Sequence, residues 1–124
     1  YGLSYTTFAF DKAKTDKETY NADDTITISV ELKNTGKIEG KEVVQLYTSK
    51  SDSKIERAAQ ELKGFKKVAV AGGSSQTVTM KVPVKELAYY DVATKKWTVE
   101  PGKYTLKLGS SSRDIKKEVV VTIK

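Results

Sequence analysis

The 124-residue sequence contains no cysteine and no histidine. Without cysteine, disulfide bonds and thiolate metal sites are excluded. Without histidine, the chain lacks the commonest general base and the commonest metal ligand, so Ser–His–Asp and Cys–His catalysis are excluded as well. A chain of this length is predicted to form one domain, which buries enough surface to fold without cross-links.

Arginine is also scarce. Only Arg57 and Arg113 are arginines among the 22 basic residues, which outnumber 16 acidic residues and give a net charge of +6. Proteins that read nucleic acids use arginine for bidentate contacts, and the lysines here are scattered along the chain. We therefore interpret the excess of basic residues as solvated surface charge and predict no nucleic-acid partner. No apolar run approaches the ~20 residues of a membrane helix, so no membrane partner is predicted.

The chain opens directly on a strand-like segment, residues 1–5, with no initiator methionine and no apolar leader. This favours a fragment or a processed product of a longer protein. The predicted organisation is therefore a single domain, residues 1–124, that was part of a larger polypeptide.

Apolar residues alternate with polar ones through most of the chain, which is typical of strands with one buried face. The alternation is clearest in residues 25–33, 78–82, 104–108 and 119–123. In residues 42–48 the apolar side chains fall on both parities, which predicts a central strand covered on both sides.

Turn residues such as Pro101-Gly102 separate these runs. About seven strands at this spacing predict an all-β fold, a two-sheet antiparallel sandwich. A bulge near Thr6-Thr7 would reconcile the two parities of the first strand. Residues 84–90, opened by Pro83, are predicted to form one short helical corner of roughly two turns.

Several short motifs follow one another in a fixed order along the whole chain. They are Tyr1-Gly2-Leu3-Ser4-Tyr5, Asn34-Thr35-Gly36, Gly40 to Tyr47, Arg57, Glu61 to Val68, Trp97, Pro101-Gly102-Lys103-Tyr104 and Gly109 to Ile115. Together they resemble the fibronectin type III-like domain at the C-terminus of many glycoside hydrolase family 3 enzymes, the β-glucosidases and β-xylosidases. Ala58 and Ala71 stand where the family usually has proline.

The resemblance implies an immunoglobulin-like sandwich and a non-catalytic role. The family's aspartate nucleophile and glutamate acid/base lie in upstream domains, and their motifs are absent from this sequence. The leading hypothesis is an accessory domain, without cofactor, that stabilises and orients the catalytic domains of the same polypeptide. Because biomass-degrading members are often exported, a secreted or periplasmic parent is compatible with it. A free-standing adhesion or receptor sandwich is a weaker alternative.

Residues 57–65 are a candidate for contact with the catalytic domains, because an arginine offers bidentate contacts and a phenylalanine an apolar anchor. The resemblance implies that this stretch, together with residues 1–5, faces those domains. An ordinary loop and strand explain the same residues equally well. The candidate contact residues are Tyr1, Leu3, Tyr5, Arg57, Glu61, Lys63 and Phe65.

Aromatic residues suggest a second function, a carbohydrate-binding module that holds the parent on polysaccharide. Tyr89, Tyr90 and Trp97 lie at predicted corners, as does Tyr20, where exposed rings could stack on sugars. Packing inside the sandwich or against a neighbouring domain is the competing explanation. The rings of Tyr47, Phe65 and Tyr104 lie in predicted strands and are expected in the core.

The acidic residues predict surface charge and turns, without a catalytic or metal site. The neighbours of Glu39, Glu42, Glu56 and Glu61 do not suggest an apolar pocket that would raise a carboxyl pKa, so a facing catalytic pair is disfavoured. Residues 21–24 offer the oxygen ligands of a calcium site without its spacing, and an Asx-capped turn is the better prediction.

Overall fold

The structure is a computed structural model that describes residues 8–50, 61–111 and 114–124. A short 3-10 helix, Val84–Leu87, accompanies ten strands. In chain order these are β1 (Phe8–Thr15), β2 (Thr19–Tyr20), β3 (Thr25–Asn34), β4 (Gly40–Ser49), β5 (Glu61–Val70), β6 (Ser75–Pro83), β7 (Tyr89–Asp91), β8 (Lys96–Thr98), β9 (Gly102–Ser111) and β10 (Asp114–Ile123).

Two sheets form the sandwich. One has three strands in the order β1-β3-β6, and the other has five in the order β2-β10-β9-β4-β5. All pairings within them are antiparallel except that of the two-residue β2 with β10. Strands β7 and β8 form a separate hairpin. Seven of the strands are eight residues or longer, so the predicted all-β sandwich of about seven strands is confirmed.

The core lies between the sheets and is built by strict alternation. Strand β3 turns Ile26, Ile28, Val30 and Leu32 inward, as well as Asn34 at its end, and the alternate side chains from Thr25 to Lys33 face outward. All seven long strands contribute to the same buried cluster. Full burial of one such aliphatic side chain contributes about 1.5–3 kcal/mol, so this repeated pattern is the main source of stability.

Strand β4 lies between β9 and β5, so its predicted central position is correct. The prediction that both of its faces are covered is not met, because Val43 and Tyr47 on the outer face are only half-buried. Within the described part of the chain, the three-stranded sheet covers the inner face alone.

The predicted helical corner is shorter than expected. A 3-10 helix occupies Val84–Leu87, and Tyr89 already belongs to the hairpin, so the prediction of two turns through residue 90 was wrong. Val84 and Leu87 are both buried, and their burial anchors the corner in the core. Pro83 precedes the helix rather than occupying its first position. No described helix is long and apolar enough to cross a membrane.

The first strand contains an irregularity, at a different place from the one predicted. Pairing of β1 with β3 shifts between Asp11 and Lys14, and Lys12 takes a positive φ of 51°. The expected bulge at Thr6-Thr7 lies outside the described residues. The shift places both Phe10 and Ala13 toward the core, because an extra residue in one strand changes the side-chain parity.

Two tyrosines in similar turn-rich surroundings are buried. For Tyr20 the sequence left open an exposed corner position and packing inside the sandwich, and the structure shows the packing, because only 1% of the residue is accessible. Its ring lies in the core, and its hydroxyl donates to Asp16 Oδ1 at 2.5 Å. Tyr104 is buried as predicted.

Candidate functional site

The candidate contact residues that the structure describes lie on β5, at one edge of the five-stranded sheet. Phe65 is 66% exposed, so the expectation that its ring belongs to the core was wrong. Glu61 and Lys63 are half-buried at the start of the same strand. The other four candidates lie outside the described residues: Tyr1, Leu3, Tyr5 and Arg57.

A bulge in β5 determines which side chains reach the outer face. Phe65 lies opposite Gln45, whereas Leu62 lies opposite Tyr47, and the register shifts between these two pairs. In a regular strand, residues three apart face opposite sides. Because Lys63 is the extra residue, Leu62 and Phe65 both face outward. The isolated Gly64 within the strand pattern was the sequence signal for this bulge.

Tyr47, Leu62 and Phe65 form a cluster that we call the apolar patch. Leu62 is 53% exposed, and the Tyr47 ring lies half-buried beside it, with its hydroxyl donating to Gln45 Oε1. Sequence reasoning missed Leu62 and assigned Tyr47 to the core. A contiguous group of large apolar side chains on an open sheet face is typical of a contact surface.

Lysines along β5 close the open edge of the sandwich beside the patch. Lys63 Nζ donates to the carbonyl oxygen of Glu86 at 2.7 Å and lies 3.9 Å from Glu61 Oε2. Lys66 Nζ reaches Thr79 O on the other sheet at 3.4 Å. Charged side chains at an edge also discourage pairing with a foreign strand. Lys63 therefore connects β5 to the 3-10 corner of its own domain.

The outer face of the three-stranded sheet is chemically different. Every outward side chain of β3 is polar, and the outward residues of β6 from Ser75 to Lys81 are polar as well. A depression of 390 Å³ on this side is lined by Lys14, Thr15, Asp16, Thr27 and Ser29. The two outer faces of the sandwich are thus unequal, and only the five-stranded sheet carries the aromatic and aliphatic cluster in the described residues.

The hairpin of β7 and β8 carries the three candidate stacking rings, and only two of them lie on one exposed face. Tyr90 and Trp97 are cross-strand partners with ring centroids 5.5 Å apart and ring planes at 70°. Trp97 is 72% exposed and Tyr90 47% exposed. Tyr89 is half-buried and belongs to the other face of the hairpin, opposite Thr98. The three rings therefore form neither a planar exposed row nor a buried plug.

The acidic candidates take the structural roles predicted for them where they are described. Asp24 Oδ2 accepts from the backbone N–H of Asn21 at 2.8 Å, and the N–H of Asp24 donates to Asn21 O at 3.1 Å, which is the predicted capped turn. Glu42 Oε1 accepts from the backbone N–H of Val43 at 3.0 Å. Among the described residues, no three Asp or Glu side chains lie close enough together to hold a metal ion.

Comparisons of the sequence with family models and with curated proteins point to the same family. The family model described as fibronectin type III-like domain matches residues 42–112. Thermostable β-glucosidase B of Acetivibrio thermocellus is 43% identical over 93% of this chain and 15% of its own length. A β-xylosidase of Formosa agariphila is 42% identical over 100% of this chain and 17% of its own length. The chain thus spans less than one fifth of each relative.

Solved structures share the fold as well as the sequence. A β-glucosidase from Kluyveromyces marxianus in complex with glucose superposes with a TM-score of 0.88 at 42% identity, over 100% of this chain and 14% of that one. A GH3 β-glucosidase from Bifidobacterium adolescentis gives a TM-score of 0.88 at 36% identity, over 99% of this chain and 18% of that one. In both, this fold is one small part of a much longer polypeptide.

Proposed function

Because this chain belongs to the fibronectin type III-like domain family that occurs in β-glucosidases and β-xylosidases, we propose that it is a non-catalytic accessory domain of a family 3 glycoside hydrolase. In this role it packs against the catalytic domains of the same polypeptide and stabilises and orients them. The reaction, on a β-glucoside or a β-xyloside, is carried out by those upstream domains.

The observation that carries the proposal is the chemical difference between the two outer faces of the sandwich, of which one exposes large apolar side chains. The apolar patch exposes more than half of Leu62 and Phe65, whereas the other outer face is made of hydroxyl and charged side chains. Large apolar and aromatic side chains are the usual anchors of protein interfaces. A domain that worked alone in water would gain nothing from keeping them exposed on one face only.

Paired substitutions in the full polypeptide test the proposal. Replacing Leu62 and Phe65 together by aspartate is expected to lower the unfolding temperature of the parent, since buried apolar anchors contribute about 2 kcal/mol or more each. The same pair in the isolated chain should change the free energy of unfolding by only about 0.5 kcal/mol per site, because exposed positions tolerate substitution.

Thr77→Asp together with Thr79→Asp, on the outer face of the other sheet, is the matched control with the same two added charges, and it should leave the parent unchanged. An undiminished unfolding temperature in the Leu62→Asp, Phe65→Asp parent would contradict docking through this face. Equal losses from the patch pair and the control would point to a general effect of added charge.

The second candidate function is carbohydrate binding, which the exposure of Trp97 and Tyr90 favours. Their perpendicular rings suit stacking of one pyranose on a single face better than attachment along a flat polysaccharide surface. Trp97 is the only tryptophan of the chain, so its fluorescence reports on this site alone.

Titration of the isolated chain with gluco-, xylo- and manno-oligosaccharides at millimolar concentration tests this candidate. A saturable change in Trp97 fluorescence, with chemical shift changes confined to the hairpin and lost in Tyr90→Ala, would support it. Unchanged spectra with every sugar would remove it and leave the docking function.

A further inference from the structure

Lysines border the apolar patch on the outer face of the five-stranded sheet. Lys67 lies two residues from Phe65 on β5, opposite Val43, and shares its side of the strand. On β9, Lys107 lies opposite Tyr47. Two members of the apolar patch, Phe65 and Tyr47, therefore have a lysine next to them on the same face.

The same face continues outward with more positive charge. Lys41, opposite Ala69, and Lys103, opposite Thr122, are exposed and share its orientation. The only acidic side chain at these described outward positions of β4, β5, β9 and β10 is Glu118, which lies opposite Lys107. The face thus combines the apolar patch, which lies at the β5 edge, with a neighbouring set of four lysines and one glutamate that we call the rim.

The other outer face carries a more balanced set of charges. Asp11 and Glu31 are cross-strand partners on β1 and β3. Lys14, Lys33 and Lys81 occupy outward positions on β1, β3 and β6. Since two acidic side chains accompany three lysines there, against one glutamate and four lysines on the patch face, the basic excess of the patch face is larger than that of the opposite face.

We propose that the surface that receives the apolar patch is acidic: a part of the same polypeptide, outside this domain, presents aspartate and glutamate side chains beside an apolar area. The inference rests on the proposed docking function and adds the chemistry of the partner. Opposite charges at the rim of an interface steer its association and fix its register more than they add affinity.

Charge also argues against two other occupants of this face. A second copy of the chain, docked through the same face, would bring lysines against lysines, and such like-charge contacts are repulsive. A nucleic acid would satisfy the lysines but would leave Leu62 and Phe65 without apolar contact, and the described part of this face carries no arginine. A protein surface with carboxylates beside an apolar area pairs with the lysines and also gives Leu62 and Phe65 apolar contact.

Charge reversal in the full polypeptide is the test. The variant Lys41→Glu, Lys67→Glu changes the rim without touching the anchors, and Lys33→Glu, Lys81→Glu makes the same change on the other outer face. The unfolding temperature of each is measured at low ionic strength and at ~1 M salt, where the Debye length falls to about 3 Å. The isolated chain with the same substitutions reports any loss within the domain itself.

The expected result is a loss of about 2 °C or more for the rim variant at low salt, no comparable loss for the control pair, and convergence with the wild type at high salt. If the rim variant is as stable as the wild type while the Leu62→Asp, Phe65→Asp parent is destabilised, the acidic partner is wrong and docking stands. If neither the rim variant nor the Leu62→Asp, Phe65→Asp variant lowers the unfolding temperature of the parent, the docking function is wrong as well. A dimer of the isolated chain that Phe65→Asp dissociates would make a second copy the occupant and overturn the inference.

Discussion

The side-chain amide of Asn34 donates to the carbonyl oxygen of Val70 at 2.8 Å, across a separation of 36 residues. It joins the last residue of β3 to the last residue of β5. Its second hydrogen goes to Ile38 O at 2.9 Å, and its Oδ1 accepts from the N–H of Gly36 at 2.9 Å. Asn34 is completely buried. It therefore ties the edge strand that carries the apolar patch to the opposite sheet.

Replacing Asn34 by alanine is expected to destabilise the isolated chain by about 3 kcal/mol. The substitution leaves the buried carbonyl group of Val70 without this donor and removes the bond to Ile38 O, and an unsatisfied buried polar group costs about 1–3 kcal/mol. Urea unfolding should show a lower midpoint at an unchanged slope. Asn21→Ala, in an exposed turn, serves as control and should stay close to wild type. A similar small effect at both sites would show that the Asn34 bonds add little.

Two glycines give opposite predictions for the same substitution. A Cβ on Gly72 would lie 2.4 Å from the carbonyl carbon and 2.5 Å from the carbonyl oxygen of Lys37, so the backbone of that loop must move. Gly72→Ala should therefore cost about 1–3 kcal/mol. Gly64 has nothing within 4 Å of its Cβ position. Gly64→Ala should leave stability unchanged or raise it by up to about 1 kcal/mol, measured by the same unfolding curves. Reversal of this order would contradict the close approach at Gly72.

The two-sheet sandwich and the core of its long strands followed from the sequence, because a strand with one buried face alternates apolar and polar side chains. Residues 25–33 illustrate this, since each apolar side chain there proved to be buried. The order of the strands within each sheet was not predicted.

The apolar patch could not be predicted in full from alternation in the same way. A single extra residue, Lys63, reverses the parity at the start of β5 and turns Leu62 outward. Phe65 has the parity opposite to the buried Val68 and Val70, so alternation alone would have placed its ring outside the core. Likewise, whether Trp97 packs inward depends on where the short hairpin projects, which no local pattern specifies.

Tyr104 forms a tyrosine corner at the start of β9. Its ring is buried, and its hydroxyl donates to the carbonyl oxygen of Glu100, four residues upstream, at 2.7 Å. Tyr104→Phe should reduce the free energy of unfolding by about 1 kcal/mol, the usual net value of one hydrogen bond. Because the ring is retained, near-ultraviolet spectra should stay native-like. A loss above about 3 kcal/mol would mean that packing changed as well.

The Asp16–Tyr20 hydrogen bond makes stability depend on pH. The bond from the Tyr20 hydroxyl holds the pKa of Asp16 below its ordinary value. Burial, and then the same bond, raises the pKa of Tyr20 above its ordinary value. The contribution of Asp16 is present above an unfolded pKa of about 3.9 and is lost as the pH falls through the lower folded pKa. The contribution of Tyr20 is present below an unfolded pKa of about 10 and is lost as the pH rises through the higher folded pKa.

Tyr20→Phe is therefore expected to cost the most stability at neutral pH and less in acid. The variant returns the pKa of Asp16 toward its ordinary value, so below about pH 4 the wild type loses stability that the variant never had. The measurement is the difference in free energy of unfolding between wild type and variant, from urea curves between pH 3 and 7. Tyr104→Phe is the control, because its hydroxyl donates to an uncharged backbone carbonyl and its cost should stay constant over this range. A constant cost for Tyr20→Phe too would mean that its bond to Asp16 does not favour the ionised carboxylate.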